Sequence, residues 1–316
     1  MSKTLFLIAI LNFLTSFGCA KKNGSSTKAG TEAASPYCGD FLVVAADGVF
    51  DLVPCGNPSP APPPAKEVYP TKQGAEVWGP PKSGSDPRVQ NAEEGSVAFG
   101  ETGTIRMVKP SSILISTSEP YDRNNVSFDY PTIAKRGYLM GAKDWRNVEI
   151  TTYIKINTSN SDGRVVFGAR SGKKHVGASP IPPHACEVSG YKGAITPQGQ
   201  TTFIKQQWLQ KSFSRDPKVT VKPLLGKWVG AKFIVRNVAE PKASIPHLEI
   251  WLDEASTNDW KMIDSYADTN GWGDSGGACG GKWDELITWG GPVVGISTEG
   301  TIDVEFKNIN VREINI

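Results

Sequence analysis

Short runs of alternating apolar and polar residues recur along most of this chain. Val148, Ile150, Ile154 and Ile156 alternate with Glu149, Thr151, Tyr153 and Lys155. Leu248, Ile250 and Leu252 alternate with Glu249, Trp251 and Asp253, and Ile302, Val304 and Phe306 with Asp303, Glu305 and Lys307. Period two aims every second side chain at the same face, so each run reads as an antiparallel strand with one face buried. Gly, Pro, Asn and Asp divide the runs, and long helical periodicities are missing. Only Tyr130 to Lys135, ahead of Arg136-Gly137-Tyr138, has a helix-like pattern, and it is short. Many short strands in one stretch of about 240 residues predict a single all-β domain of two stacked antiparallel sheets, a sandwich or jelly roll.

The first residues break this pattern. Lys3 precedes an apolar run from Leu5 to Leu14, and Thr15-Ser16-Phe17-Gly18-Cys19 follows. A charged start and an apolar run too short to span a bilayer read as an export signal. A small residue directly before Cys19 resembles the processing site of bacterial lipoproteins, although Ser16 stands where leucine is usual and Phe17 is bulky. Cys19 would then be the lipidated residue, and an ordinary secretory signal cleaved nearby is the alternative. The expected organisation is a signal peptide over 1–19, a flexible polar tether over 20–36, a small hairpin over 37–56, a proline-rich linker over 57–66 and the jelly roll over 67–316. In the hairpin, Phe41 to Ala45 and Val49 to Val53 flank the turn residues Ala46-Asp47-Gly48. The linker, NPSPAPPPA, favours an extended, semi-rigid chain.

Cysteine usage fits export. There are five; setting Cys19 aside as a lipid anchor leaves an even set, Cys38, Cys55, Cys186 and Cys279, as an oxidising compartment favours. Cys38 with Cys55 would staple the hairpin. Cys186 with Cys279 would close a long loop worth on the order of 4–5 kcal/mol in the chain-entropy model. No CxxC spacing or histidine pair supports zinc instead. Net charge is +2 and no basic stripe is present, so nucleic acid is not an expected partner.

The segments DWRNVEITTYIKIN, ARSGKKH, CEVSGYKG, GKWVGAKFIV, LEIWLDE, DTNGWGD, ITWGGP and VEFKNINVREI, running from about Trp78 to Ile316, resemble a group of exported concanavalin A-like jelly-roll proteins. That wider class includes lectins, glucanases and polyuronate lyases, so the resemblance implies a carbohydrate as the ligand and leaves open whether it is cut. A structural Ca²⁺, held by oxygens from Asp253, Asn258, Asp259 and Asp268, is the cofactor such folds would suggest, though no loop spacing marks it; otherwise no cofactor and no metal ligand is expected.

Candidate chemistry concentrates in FGARSGKKHVGASPIPPHACEVSGYKGAI and in the next strand, FIKQQWLQKSF. Arg170, His175, Tyr191, Lys192, Lys205, Gln207 and Trp208 are the expected ligand-binding residues, on the concave sheet. Their cations suit an acidic polysaccharide, and amides and aromatics suit sugars generally. If Val165, Phe167 and Ala169 face the core, then Arg164, Val166, Gly168 and Arg170 face outward. In strand FIKQQWLQKSF, either Phe203, Lys205 and Gln207 or Ile204, Gln206 and Trp208 share a face. A polyuronate lyase is the second reading: Arg170 would neutralise the sugar carboxylate, and His175 and Tyr191 would move the protons of β-elimination. The RxExR and QxH strands of such lyases are missing. Glycoside hydrolysis needs paired carboxylates; Asp253 and Glu254 are adjacent and would point opposite ways on a strand, and Asp303 and Glu305, two apart, continue into Lys307, as an outer charged face would. Trp145, Trp228 and Trp251 read as structural, whereas Trp272, Trp283 and Trp289 flank Cys279 in a glycine-rich loop and could meet ligand. His184, after Pro182-Pro183, reads as a loop residue. A third reading is an adhesive surface protein with a protein partner.

Overall fold

A computed structural model describes residues 42–44, 49–51, 65–79, 86–91, 96–100, 103–117, 143–171, 189–207, 211–239, 241, 244–273 and 284–316. In chain order the first strands are β1 (Leu42–Val44), β2 (Val49–Asp51), β3 (Val77–Trp78), β4 (Val89–Asn91), β5 (Ser96–Phe99) and β6 (Ile105–Val108). Next come β7 (Ser111–Ser116), β8 (Val148–Ser159), β9 (Arg164–Ser171), β10 (Gly190–Ile195), β11 (Gln200–Gln207) and β12 (Lys211–Ser214). The last are β13 (Lys218–Val219), β14 (Trp228–Ala239), β15 (Ser244–Asp253), β16 (Lys261–Ala267), β17 (Val293–Glu299) and β18 (Ile302–Glu313). The expected Tyr130–Lys135 helix and all five cysteines lie outside the described residues.

The strands form two eight-stranded sheets. The first runs β12-β11-β10-β9-β17-β7-β4, with β13 beside β11; the second runs β16-β15-β14-β8-β18-β6-β5, with β3 beside β18. The strand pairings are antiparallel, and β1 and β2 pair as a separate hairpin, Leu42 opposite Asp51 and Val44 opposite Val49. The molecule is the all-β, two-sheet sandwich that the alternation implies. Its core is where the inner faces meet: Val148, Ile150, Ile154, Phe233, Val235, Leu248 and Ile250 from the second sheet, and Ile113, Ile115, Val165, Phe167, Phe203 and Ile296 from the first. At Gly193 the layers approach so closely that an added Cβ would lie 2.6 Å from the Phe233 ring.

Alternation alone leaves the outer face of the second sheet in water, and there the structure differs. Glu149, Thr151 and Tyr153 are buried, because residues 65–79 and Trp260 lie across them. Lys72 N–H donates to the Glu313 carbonyl (3.0 Å) and Asn315 N–H to that of Pro70 (2.8 Å), and Lys66 N–H donates to Asn258 Oδ1 (2.9 Å). Beneath this strap the charges are matched. Lys232 Nζ donates to Glu149 Oε1 (2.7 Å) and Thr151 Oγ1 (2.9 Å), and Arg312 Nη2 donates to Glu149 Oε2 (2.7 Å). Arg236 and Tyr69 both donate to Glu249. The Trp260 ring sits over Gly230 with Lys232 Nζ 4.3 Å from its centre. Buried charges persist only when paired in this way.

Gly193→Ala should force Phe233 from its place and lower the unfolding free energy by about 1–3 kcal/mol, the usual cost of overpacking a close-packed core. Urea denaturation measures it, and an unchanged midpoint would show that the layers are looser at Gly193 than the structure has them.

Candidate functional site

The loops at one end of the sandwich meet the ends of β7, β9, β10, β11 and β17, and most of the expected site residues gather there. Arg170 does so with the opposite facing from that expected. Gly168 pairs with Gly295 but Ser171 with Val293, so Ala169 and Arg170 together oppose Val294. This β-bulge, with Arg170 in the left-handed region at φ 58°, breaks the alternation and turns the arginine inward. Its guanidinium is fully buried; Nε donates to the Arg146 carbonyl (2.7 Å) and Nη1 to that of Ile287 (2.5 Å). Burial brings its pKa down to about 10, against the opposing pull of Tyr191 and Glu313.

Tyr191 and Lys205 face inward from β10 and β11, and Gln207 follows the same alternation. Phe203, Lys205 and Gln207 therefore share the core face, and Ile204 and Gln206 the outer one. Lys205 Nζ lies 2.8 Å from Asp268 Oδ2 and 3.1 Å from Asp284 Oδ1. Tyr191 donates its hydroxyl proton to Asp268 Oδ2 (2.5 Å) and accepts from the Ile287 N–H (3.1 Å). Asp284 also accepts from the backbone N–H groups of Gly271 and Trp272. Trp272 stacks on Tyr191 with ring centres 6.0 Å apart and donates Nε1–H to the Phe213 carbonyl (2.9 Å). An added Cβ at Gly273 would collide with the Gln207 amide oxygen. Arg170, Tyr191, Lys205 and Gln207 thus come together, but as buried fastenings of loops 268–273 and 284–292, with no side-chain surface turned to solvent.

Burial bears on the chemical role open to Tyr191. Burial first, then the charge of Asp268, push its pKa well above the usual 10.0, so its hydroxyl is poorly suited to take a proton near neutral pH. His175 and Trp208 lie outside the described residues, as do His184 and Trp283. Trp272 and Trp289 are buried among core residues. Trp145 is buried too, its Nε1–H donating to the Glu76 carbonyl (3.2 Å), while Trp228 is half-buried with Lys307 Nζ 4.4 Å from its ring centre.

Lys192 behaves otherwise. It points from β10 to the outer face of the first sheet and is half-exposed. The ladders place it in one transverse row: Ser214 opposite Ile204, Ile204 opposite Lys192, Lys192 opposite Gly168, Gly168 opposite Gly295, Gly295 opposite Leu114 and Leu114 opposite Gln90. Two adjacent glycines therefore leave a stretch without side chains beside the lysine; along this row Ile204, Gly168, Gly295 and Leu114 are buried, and Lys192, Gln90 and Ser214 reach solvent. An added Cβ at Gly168 would make only ordinary contact, 3.9 Å from Lys192 Cγ. Ser112, Ser171 and Gln206 bring hydroxyl and amide groups to the same face, and Ser112 Oγ, Ser171 Oγ and Gln206 Oε1 are buried with no hydrogen-bond partner.

The carboxylates suggested for calcium do not converge. Asp268 is neutralised by Lys205 and Tyr191, Asp253 caps the N–H groups of Thr257 and Asn258, and Asp259 pairs with Lys261 on the surface. Asn258 Oδ1 accepts from Lys66, Tyr153 and Trp260. Among the described residues no group of three His, Cys, Asp or Glu forms a metal-ligand set. Asp303 and Glu305 do project together, both accepting from Asn157 Nδ2, and Asp303 is clamped by Arg106 through two hydrogen bonds.

Lys205→Met should cost about 3–5 kcal/mol, because it strands Asp268 and Asp284 as buried, unneutralised carboxylates; a loss under ~1 kcal/mol in chemical denaturation would mean that the cluster does not hold the loops. Alkaline titration tests the tyrosines. Tyr191 is raised well above 10.0 and Tyr153 to about 12, in both cases chiefly by burial. Between the unfolded and folded values the native state holds more protons, so stability falls as pH rises above about 10. Both phenols should stay silent in ultraviolet titration until the protein unfolds; ionisation at the ordinary value in the folded protein would refute their burial.

No known family profile matches the sequence, and no curated protein does. Among solved structures the chain is similar to the carbohydrate-binding module CBM66 from Bacillus subtilis, with TM-score 0.38 and 12% identity over 72% of this chain and 96% of that one. It is similar to the exoplasmic/lumenal domain of VIP36 in its Ca²⁺/Man3GlcNAc-bound form, with TM-score 0.41 and 9% identity over 76% and 89%. It is also similar to the β-glucanase of Bacillus licheniformis, with TM-score 0.41 and 6% identity over 76% and 100%.

Proposed function

We propose that this protein binds a polysaccharide along the outer face of its first sheet. The observation that carries the reading is the transverse row through Lys192, Gly168 and Gly295. A sugar ring needs a shallow floor that its apolar face can approach and polar groups at the sides for its hydroxyls. The glycine pair, buried in this structure, would supply the first when that face is uncovered; Lys192, with Ser212 and Ser214 exposed at one edge and Gln90 at the other, supplies the second. A lysine in the middle of the row favours an acidic glycan, since a charge-assisted hydrogen bond is about twice as strong as a neutral one. The proposal includes export, with lipid attachment at Cys19, which mass spectrometry of the mature N-terminus tests. Among the described residues no helix is long and apolar enough to cross a membrane.

Affinity electrophoresis against alginate, pectate, glucuronan, hyaluronan and a neutral glucan tests the binding. Retention is expected on at least one acidic glycan. Lys192→Ala should weaken it about tenfold, in line with the net worth of a hydrogen bond to a charged group, and should affect neutral glycans less. Gly168→Ala should leave stability within about 0.5 kcal/mol yet reduce retention by filling the floor. Full retention in both variants, or none by the wild type on any glycan, sinks the proposal. The ultraviolet absorbance of an unsaturated product would instead reveal a lyase, and capture of a protein without glycan an adhesive role.

A further inference from the structure

A protein surface tolerates apolar side chains exposed singly, but two of them together on one fixed loop call for a reason. Among the described residues five large hydrophobic side chains are exposed, and two of these, Val219 at 73% and Leu225 at 53%, stand on one crossing. It runs from β13, at the edge of the first sheet, to β14 in the second. Backbone hydrogen bonds pin it to the turn between β10 and β11, at the end of those strands away from Tyr191. Thr220 and Val221 N–H both donate to the Gly199 carbonyl (3.0 and 3.3 Å), and Leu224 N–H donates to that of Pro197 (2.8 Å). Gly226 N–H donates to the Ile156 carbonyl (2.8 Å). Val221 and Leu224 pack on the core. The loop is therefore held in place while Val219 and Leu225 stay in water.

The same crossing collects cations. RDPKVTVKPLLGK, residues 215–227, has four basic residues to one acid, in a chain of net charge +2. Prolines and apolar residues separate the cations, so they form no continuous run. Arg215 lies over the Tyr266 ring, 4.5 Å from its centre. Lys218 and Lys222 are exposed and Lys227 is half-exposed. Lys218 Nζ comes only within 3.5 Å of Asp264 Oδ1, with 67% of its side chain in solvent, a contact worth little. Aliphatic side chains interleaved with lysines match a lipid surface. The apolar groups reach the acyl boundary while the ammonium groups stay among anionic headgroups. A sugar would instead call for aromatic faces, and the exposed apolar groups here are valine and leucine. We propose that Lys218, Val219, Lys222 and Leu225 form a docking surface for an anionic phospholipid bilayer. The surface lies apart from the row through Lys192, and it stands whether or not that row binds a glycan.

Co-sedimentation of the full chain with vesicles of phosphatidylcholine, alone or mixed with phosphatidylglycerol, is the test. Cys19→Ser in every sample removes any acyl chain, and the rest of the leader is common to all. Binding to the anionic vesicles should exceed binding to the neutral ones and weaken as salt rises. Lys222→Gln should lower the partition coefficient about fivefold, and Lys218→Gln with Lys222→Gln about twentyfold, the effect of one surface charge each. Leu225→Ser should lower it about tenfold by withdrawing an inserted aliphatic group. These positions are exposed, so the urea midpoint of each variant should match the wild type. Equal binding to both kinds of vesicle, binding to neither, or binding unchanged in the lysine and leucine variants alike overturns the surface. So does a loss of retention on an acidic glycan in the lysine variants without vesicle binding, which would give these cations to a sugar. Capture of a protein without vesicle binding overturns it as well. No glycan enters the vesicle assay, so its failure is distinct from failure of the glycan reading.

Discussion

One ammonium group between two carboxylates closes an end of this sandwich. Lys205 Nζ bridges Asp268 and Asp284, which belong to different loops, and those loops carry Trp272 and Ile287 onto Tyr191. Buried ion pairs add little net stability over apolar packing, but they are exacting about geometry, since a misplaced partner leaves a bare charge. Here the exactness falls where two β-layers end and neither has a ladder left to fix the chain. The inward turn of Arg170 belongs to the same closure, because its guanidinium holds the carbonyls of Arg146 and Ile287.

The two sheets cover their outer faces differently. The second carries matched charges, Lys232 and Arg312 on Glu149 and Arg236 on Glu249, sealed beneath residues 65–79. The first carries Lys192, an Arg164–Glu299 pair and apolar side chains such as Ile204 and Leu114, with two glycines side by side. Glycine inside a strand gives up packing and chain entropy, so a pair of them often marks a close approach by something else. The contrast sets the first sheet apart as the surface where a ligand is sought.

Period-two alternation was enough to read the fold, because burial of one face per strand is a local pattern: Val148 to Ile156, Leu248 to Leu252 and Ile302 to Phe306 all lie in strands facing as expected. The site was only partly legible. Composition drew attention to Arg170, Tyr191, Lys205 and Gln207, and these do assemble. Their inward facing was hidden for two reasons. The bulge at Ala169–Arg170 is a register event set by β17, a partner more than a hundred residues away in the chain. The acids that neutralise Lys205 lie in loops whose docking no local pattern encodes. DTNGWGD and WDELITWGGP held the clue, since each puts an aspartate within a few residues of a tryptophan that ends up in the core. The strap over the second sheet was likewise invisible, as residues 65–79 have no alternation of their own.

That strap fixes a direction as well as a seal. Lys66 is tied to Asn258 on the far side of the sandwich from Lys192, so the described strap begins at the back of the molecule. Because residues 65–79 lie against the second sheet, that segment is spent on one layer and leaves the layer of Lys192 clear of it.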